Sequence, residues 1–141
     1  MELKKIRIGV LTDSLDKEAV LFQQIAAIGY EAKKPKFWSQ NAIKEFVETE
    51  MLDMVICFTG PRSIPSTDWL LAFVKEKRPI VKRIKLVNYA ARKWGLRRFM
   101  SAAKKDADAV ILNNASHIEL NNAINRLYRS FNLNHQVERV A

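Results

Sequence analysis

The chain has 141 residues, 48% of them hydrophobic and 28% charged, with four Gly, four Pro and a single Cys. That composition suits one domain with its own core and excludes a disordered chain, a disulfide scaffold or a low-complexity linker. Twenty-four Lys and Arg against fifteen Asp and Glu give a net charge of +9, and no apolar run approaches the roughly 20 residues that span a bilayer.

The opening residues Met1 to Arg7 run straight into a strand pattern with no signal-peptide core, so a cytoplasmic protein is expected. Ile6 to Leu11 is rich in β-branched residues and reads as a buried strand, closed by Thr12-Asp13-Ser14. A helix is predicted from Asp16 to Ile28, capped by Ser14 or Asp16 and stopped by Gly29. Tyr30 to Trp38 holds a short second strand, with Pro35 pointing to an edge position. Ser39 or Asn41 caps the next helix, whose apolar stripe is Ala42, Ile43, Phe46 and Val47.

Met54 to Phe58 is the third strand, and Cys57 within it reads as a buried structural thiol. Thr59 to Thr67 is a loop broken by Pro61 and Pro65, followed by a helix capped at Ser66 or Thr67 that ends before Pro79. The fourth strand lies within Ile80 to Tyr89, the next helix spans Ala90 to Lys105, and Ala109 to Leu112 is the fifth strand. Ser116 caps a last helix through Phe131, and a polar tail covers residues 132–141.

Strands alternating with helices at this spacing predict an α/β domain, a single five-stranded parallel sheet flanked by helices in the flavodoxin-like order 2-1-3-4-5. In such folds ligands sit beyond the C-terminal ends of the strands. That rule selects Asp13, Ser14, Thr59, Arg62, Asn88 and Asn113 as candidate ligand-binding residues, with Gly60 and Asn114 beside them.

The motifs for specific cofactors are missing. Thr59-Gly60-Pro61-Arg62-Ser63 has one glycine and no lysine at phosphate-loop spacing. Leu11-Thr12-Asp13-Ser14 lacks the glycine of a flavin phosphate loop, and His117 and His135 have no partners at metal-ligand spacing. No cofactor, no metal site and no catalytic set are therefore assigned.

Met51-Leu52-Asp53-Met54-Val55-Ile56 is similar to the entry to the phosphoacceptor strand of response-regulator receiver domains. Asp106-Ala107-Asp108 before the fifth strand resembles that family's turn, and Ser116 to Leu120 resembles the start of its last helix. The resemblance implies a receiver-like domain over residues 1–131. It also implies a degenerate one, a pseudo-receiver. Phe58 stands where the family has its phosphoaccepting aspartate, and Asp13 is the one acid where it has a magnesium-binding pair. Asn88 falls near the conserved hydroxyl, Asn113 replaces the lysine, and Asn114 replaces a proline.

The charge excess is local. From Lys75 to Lys105 there are twelve basic residues and one acid, Glu76. Arg92, Lys93, Arg97, Arg98 and Lys104 fall on the outer face of the Ala90 to Lys105 helix, with Ala91, Trp94, Phe99 and Ala103 on its inner face. In receivers this helix belongs to the output surface, so the resemblance implies a signalling or adaptor domain whose basic face binds an acidic protein partner or polyanion. Non-specific nucleic-acid binding competes, with Trp69, Tyr89 and Trp94 as stacking rings, but no sequence-specific nucleic-acid motif is present. Self-association is left open. The alternative is a protein or enzyme that takes a small anionic ligand, such as a nucleotide, at the strand ends.

Overall fold

The computed structural model of the protein describes residues 5–88 and 95–140, apart from the side chains of residues 96, 99, 102 and 129–140. The elements in chain order are β1 (Arg7–Thr12), α1 (Leu15–Ile28), β2 (Glu31–Lys33), α2 (Gln40–Thr49), β3 (Met54–Phe58), α3 (Thr67–Lys77), β4 (Lys82–Val87), α4 (Leu96–Ala103), β5 (Ala109–Leu112) and α5 (His117–Val140).

Serine hydroxyls start most of the helices. Ser14, Ser39, Ser66 and Ser116 each accept the backbone N–H three residues on, at 3.1–3.2 Å. Each cap satisfies one of the donors that a helix start leaves without an intrahelical partner. Gly29 ends α1 at φ 98°, a left-handed conformation, and donates its N–H to the Ala26 carbonyl. α4 is the exception: Gly95 precedes it and supplies no side-chain cap.

The five strands form one parallel sheet in the order β2-β1-β3-β4-β5. β1 pairs with β3 from Ile8↔Met54 to Thr12↔Phe58, so Thr12 and Phe58 end their strands side by side. β2 is an edge strand of three residues, shorter than the Tyr30 to Trp38 window, and Pro35 lies just beyond it. β5 forms the other edge.

Alternation along the strands builds two apolar layers. Ile8, Val10, Met54, Ile56, Ile84 and Leu86 meet Leu21 and Ile25 of α1 and Leu120 and Ile124 of α5. On the other face Leu11, Val55 and Cys57 meet Ile43, Phe46 and Val47 of α2 and Leu70, Leu71, Phe73 and Val74 of α3. Each such fully buried aliphatic side chain is worth roughly 1.5–3 kcal/mol relative to exposure. Gly9 lets the α2 layer close on β1, since a Cβ there would lie 3.2 Å from both Leu52 Cδ1 and Phe46 Cε1.

The N-terminal ends of the strands are joined by ions. Asp53 Oδ2 accepts from the Arg7 backbone N–H at 2.9 Å and from Arg7 Nε at 3.3 Å. Arg83 is only 8% exposed. Its Nε donates to the Asp106 carbonyl at 2.8 Å, and its Nη2 lies 3.6 Å from Asp108 Oδ2. Arg78 Nη1 donates to the Val47 and Glu50 carbonyls at 3.1 and 2.9 Å, tying α3 to the end of α2.

These bonds correct the reading of Lys75 to Lys105 as a nearly uncompensated charge run. Lys75 pairs with Asp106 at 3.2 Å, and Lys85 pairs with Asp68 at 3.1 Å. The compensating acids lie outside the run and fold back onto it. α4 is described from Leu96 to Ala103, ending before Lys105, and the part of the expected helix in 90–94 lies, with Tyr89, outside the described residues, Ala91, Arg92, Lys93 and Trp94 included. The backbone of α5 continues as helix through 132–140, the segment set apart as a tail.

Candidate functional site

The C-terminal strand ends bring together five of the six candidate ligand residues. Asp13 follows β1, and its two carboxylate oxygens accept the Gly60 N–H at 3.1 and 3.3 Å, linking the β1 and β3 loops. Ser14 is committed to capping α1. The Thr59 hydroxyl accepts the Thr67 N–H at 3.0 Å and shares a 2.7 Å hydrogen bond with the Thr67 hydroxyl, which fastens the β3–α3 loop to the start of α3. Across the sheet, Asn113 Nδ2 donates to Asn88 Oδ1 at 3.3 Å. Arg62 sits apart from these pairs, exposed in the turn after Gly60.

Lys17 is the residue that sequence reasoning missed. Its Nζ donates to the Asn113 carbonyl at 2.6 Å, so a cation from α1 reaches the end of β5. Burial lowers its pKa, because losing water disfavours the ammonium. Its spacing of three residues after the Ser14 cap places it on the first turn of α1. Nothing local, however, signals a partner that lies 96 positions away. Asn113 Oδ1 is buried and has no hydrogen-bond partner among the described residues.

Phe58 is half-buried and packs against the apolar layer shared with α1 and α5. An apolar ring is thus part of the core at the point where β1 and β3 end. Cys57 beside it is fully buried, and burial pushes its thiol up to about 12, with Arg83 and Lys85 pulling weakly the other way. A thiol so protonated is no nucleophile at neutral pH.

A second feature lies at the β5 edge. A cleft of about 460 Å³ opens over β5 between α4 and α5, lined by Met100, Ser101, Lys104, Val110, Arg126 and Leu127 among others. Arg97, Arg98 and Lys104 are exposed on α4. Trp69, one of the proposed stacking rings, is not free: it stacks on Phe73 with ring centroids 5.1 Å apart, and Lys44 lies over the same ring.

No family model matches the chain, and no curated protein matches it significantly in sequence. Solved structures do match its fold. A CheY-like response regulator receiver domain protein from Methanospirillum hungatei superposes with a TM-score of 0.69, at 20% identity over 89% of this chain and 96% of the other. The signal receiver domain of a putative Luxo repressor protein from Vibrio parahaemolyticus gives 0.73, at 13% identity over 96% and 98%. A chain in the complex of histidine kinase ThkA with response regulator protein TrrA gives 0.64, at 21% identity over 86% and 97%.

The fold is that of a receiver domain. The sheet order and the strand-end placement of Asp13, Phe58, Asn88 and Asn113 follow from it. The residues of this receiver fold do not fit a magnesium ion. Of the six candidate residues Asp13 is the one acid, and both its oxygens face the Gly60 N–H. Among the described residues no group of three or more His, Cys, Asp and Glu side chains is placed to hold a metal.

Proposed function

We propose that this chain is a signalling or adaptor domain that works by binding and does not undergo receiver-type phosphorylation. The observation that carries this reading is Phe58. Its ring ends β3 opposite Thr12 and packs into the core, where phosphoryl transfer would need a carboxylate oxygen beside a bound cation. The polar groups at the strand ends are bonded to one another: the Asp13 carboxylate to the Gly60 N–H, Thr59 to Thr67, and Asn113 to Asn88 and Lys17. Incubation with a small phosphodonor and magnesium leaves the intact mass of the protein unchanged. Addition of one phosphoryl group, lost on replacing an aspartate, overturns the reading.

The binding surface we infer is the α4–β5–α5 side, with an acidic protein as its partner. The cleft over β5 offers apolar floor from Met100, Val110 and Leu127, with Lys104, Arg126 and one acid, Asp108, in its lining, and exposed Arg97 and Arg98 add positive charge on α4. An apolar centre with a charged rim is the make-up of a protein interface. Reversing Arg97 and Arg98 to Glu leaves stability within about 0.5 kcal/mol, because both are solvated. It lowers affinity for the partner, and wild-type binding weakens with salt. Equal loss across nucleic acids of any sequence would make this a polyanion surface instead.

Lys17 and the unpartnered Asn113 Oδ1 favour a second reading, a small anionic ligand such as a nucleotide at the strand ends. A thermal-shift screen tests it. A nucleotide at 100 times its Kd stabilises the fold by about 2.7 kcal/mol.

A further inference from the structure

At the N-terminal ends of the strands the loops converge into one pole, opposite the candidate site. Arg78 joins the α3–β4 turn to the end of α2, and Lys75 joins α3 to the α4–β5 turn through Asp106. The Lys82 N–H donates to the Asp53 carbonyl, and the Asp53 N–H donates to the Arg7 carbonyl, which brings the start of β1 alongside. Residues 5, 51, 77, 80, 82 and 105 all lie at this pole, each within two residues of one of these contacts.

Its charge is one-sided. Asp53, Asp106 and Asp108 are engaged by Arg7, Lys75 and Arg83, and Glu50 by Lys33. Against Lys5, Lys77, Lys82, Lys104 and Lys105 there remain Glu48, Glu76 and Glu31, the last only 4.0 Å from the Lys33 that Glu50 holds more closely. The C-terminal end of α3 adds negative helix-dipole character under its lysines, which suits cations there.

Two aliphatic side chains stand out among these lysines. Ile80 is 74% exposed and Met51 is 61% exposed. Ile80 follows Pro79 in a turn closed by the Val81 N–H on the Arg78 carbonyl at 2.9 Å, so it is held outward by a defined backbone. Exposed aliphatics are ordinary when scattered. Here they share one pole with a cation excess.

We propose that this pole docks on an anionic lipid surface, with Lys5, Lys77, Lys82 and Lys105 facing the headgroups and Ile80 and Met51 entering the interface. A charged bilayer rewards both features at once: lysines near the surface gain from its negative potential, and short aliphatic side chains gain from shallow burial. A nucleic-acid backbone would reward the lysines but give Ile80 nothing. Non-specific binding of bases uses aromatic platforms, and the ring beside Asp53 and Lys82, Tyr128, is half-buried and packed against the core layer of α1 and α5.

The test is co-sedimentation of the whole chain with vesicles of phosphatidylcholine alone, or with roughly a third phosphatidylserine. The protein pellets with the anionic vesicles only, and less so as salt rises. Each lysine removed lowers the partition constant roughly fivefold, so Lys77→Gln with Lys105→Gln lowers it roughly 25-fold. Lys34→Gln with Lys36→Gln makes the same change in net charge at the β2 edge, on the other side of the sheet from β4 and β5, and lowers it less than the Lys77 and Lys105 pair does. Ile80→Ser, which alters no charge, lowers it several-fold. All these side chains but Lys34 are solvent-facing and unbonded among the described contacts, and superposable thermal melts establish that each variant is folded.

The proposal falls if neutral and anionic vesicles bind alike, or if the two double variants lose binding equally. It also falls if Ile80→Ser matches wild type. Binding of duplex DNA through Lys77 and Lys105 with no dependence on Ile80 would make the pole a nucleic-acid surface and overturn the lipid assignment.

Discussion

The two ends of this sheet are built from different interactions. At the N-terminal end, charged side chains are bonded into the fold: Arg83 lies against Asp108 and the Asp106 carbonyl, Arg7 holds Asp53, and Arg78 holds two carbonyls of the α2 end. At the C-terminal end, the residues at receiver-type catalytic positions are neutral or locally capped. Asn113 meets Asn88, Thr59 meets Thr67, and Asp13 meets a backbone N–H. Hydrogen bonds at the C-terminal end hold loops and helix starts, while most of the described ion pairs lie at the other end, where they hold strands and helices together. Active sites store unpaired charge and strain at a cost in stability. At the C-terminal end that cost is confined to two groups, the unpartnered Asn113 Oδ1 and the partly desolvated Lys17.

The sharpest way to break this contrast is at Arg83. The Arg83 side chain is nearly buried, while Asp108 is half-buried and also holds the Arg83 backbone N–H at 2.8 Å, so losing the guanidinium costs about 3 kcal/mol, the upper end for hydrogen bonds to a charged group. Arg83 also bonds the Asp106 and Val81 carbonyls, which its loss leaves short of a donor. Arg83→Leu therefore lowers the unfolding free energy by that order, measured by urea denaturation. The double variant Arg83→Leu with Asp108→Ala is less stable still, because the backbone N–H of residue 83 then loses its Asp108 acceptor as well. A single variant as stable as wild type would mean that the ionic end is not structural.

Cys57 is the penultimate residue of β3, beside the C-terminal strand end, and reports on burial within the sheet. Its thiol is raised from 9.0 to about 12, by burial first, against the pull of Arg83 and Lys85. The folded state thus holds the proton more tightly than the unfolded chain. That stability is fully present below pH 9.0 and is lost as pH rises toward 12. Near about pH 11 the loss reaches about 3 kcal/mol, at 1.36 kcal/mol for each pKa unit. Lys17 opposes it, since a lysine with a lowered folded pKa favours folding as pH rises through its titration. Urea titrations of wild type and Cys57→Ala across this range isolate the thiol. Parallel pH profiles for the two would refute the burial account.

Much of the frame was legible in the residues. The runs Met54 to Phe58 and Ala109 to Leu112 became strands with those bounds, because uninterrupted apolar β-formers between polar loops admit few other structures. Ser14, Ser39, Ser66 and Ser116 marked helix starts for a chemical reason, the need for an acceptor at unpaired N–H groups. Charge was less legible. A count along the chain treats Arg83, Lys75 and Lys85 as one free basic run, yet their partners are Asp108, Asp106 and Asp68. Pairing depends on which loops the sheet brings together, and that is a long-range property. The Lys17 contact with Asn113 and the cleft over β5 were hidden for the same reason.

The smallest effect is expected at Asp13, and it bears most directly on the C-terminal end. In a working receiver-type site, an acid in this place would be one of several carboxylates in mutual repulsion, and removing it would stabilise the fold. Here Asp13 has no neighbouring acid among the candidate residues, and its carboxylate serves as acceptor for the Gly60 N–H. A hydrogen bond of this kind contributes about 1 kcal/mol, and less where water can replace the carboxylate at an exposed N–H. Asp13→Ala should therefore destabilise the protein, by about 1 kcal/mol or less in urea denaturation. Asp13→Asn, which keeps an acceptor oxygen, should fall between the variant and wild type. The sign decides the matter. If Asp13→Ala is more stable than wild type, the carboxylate is held at a cost, the strand ends are a poised site, and the contrast between the two ends of the sheet fails.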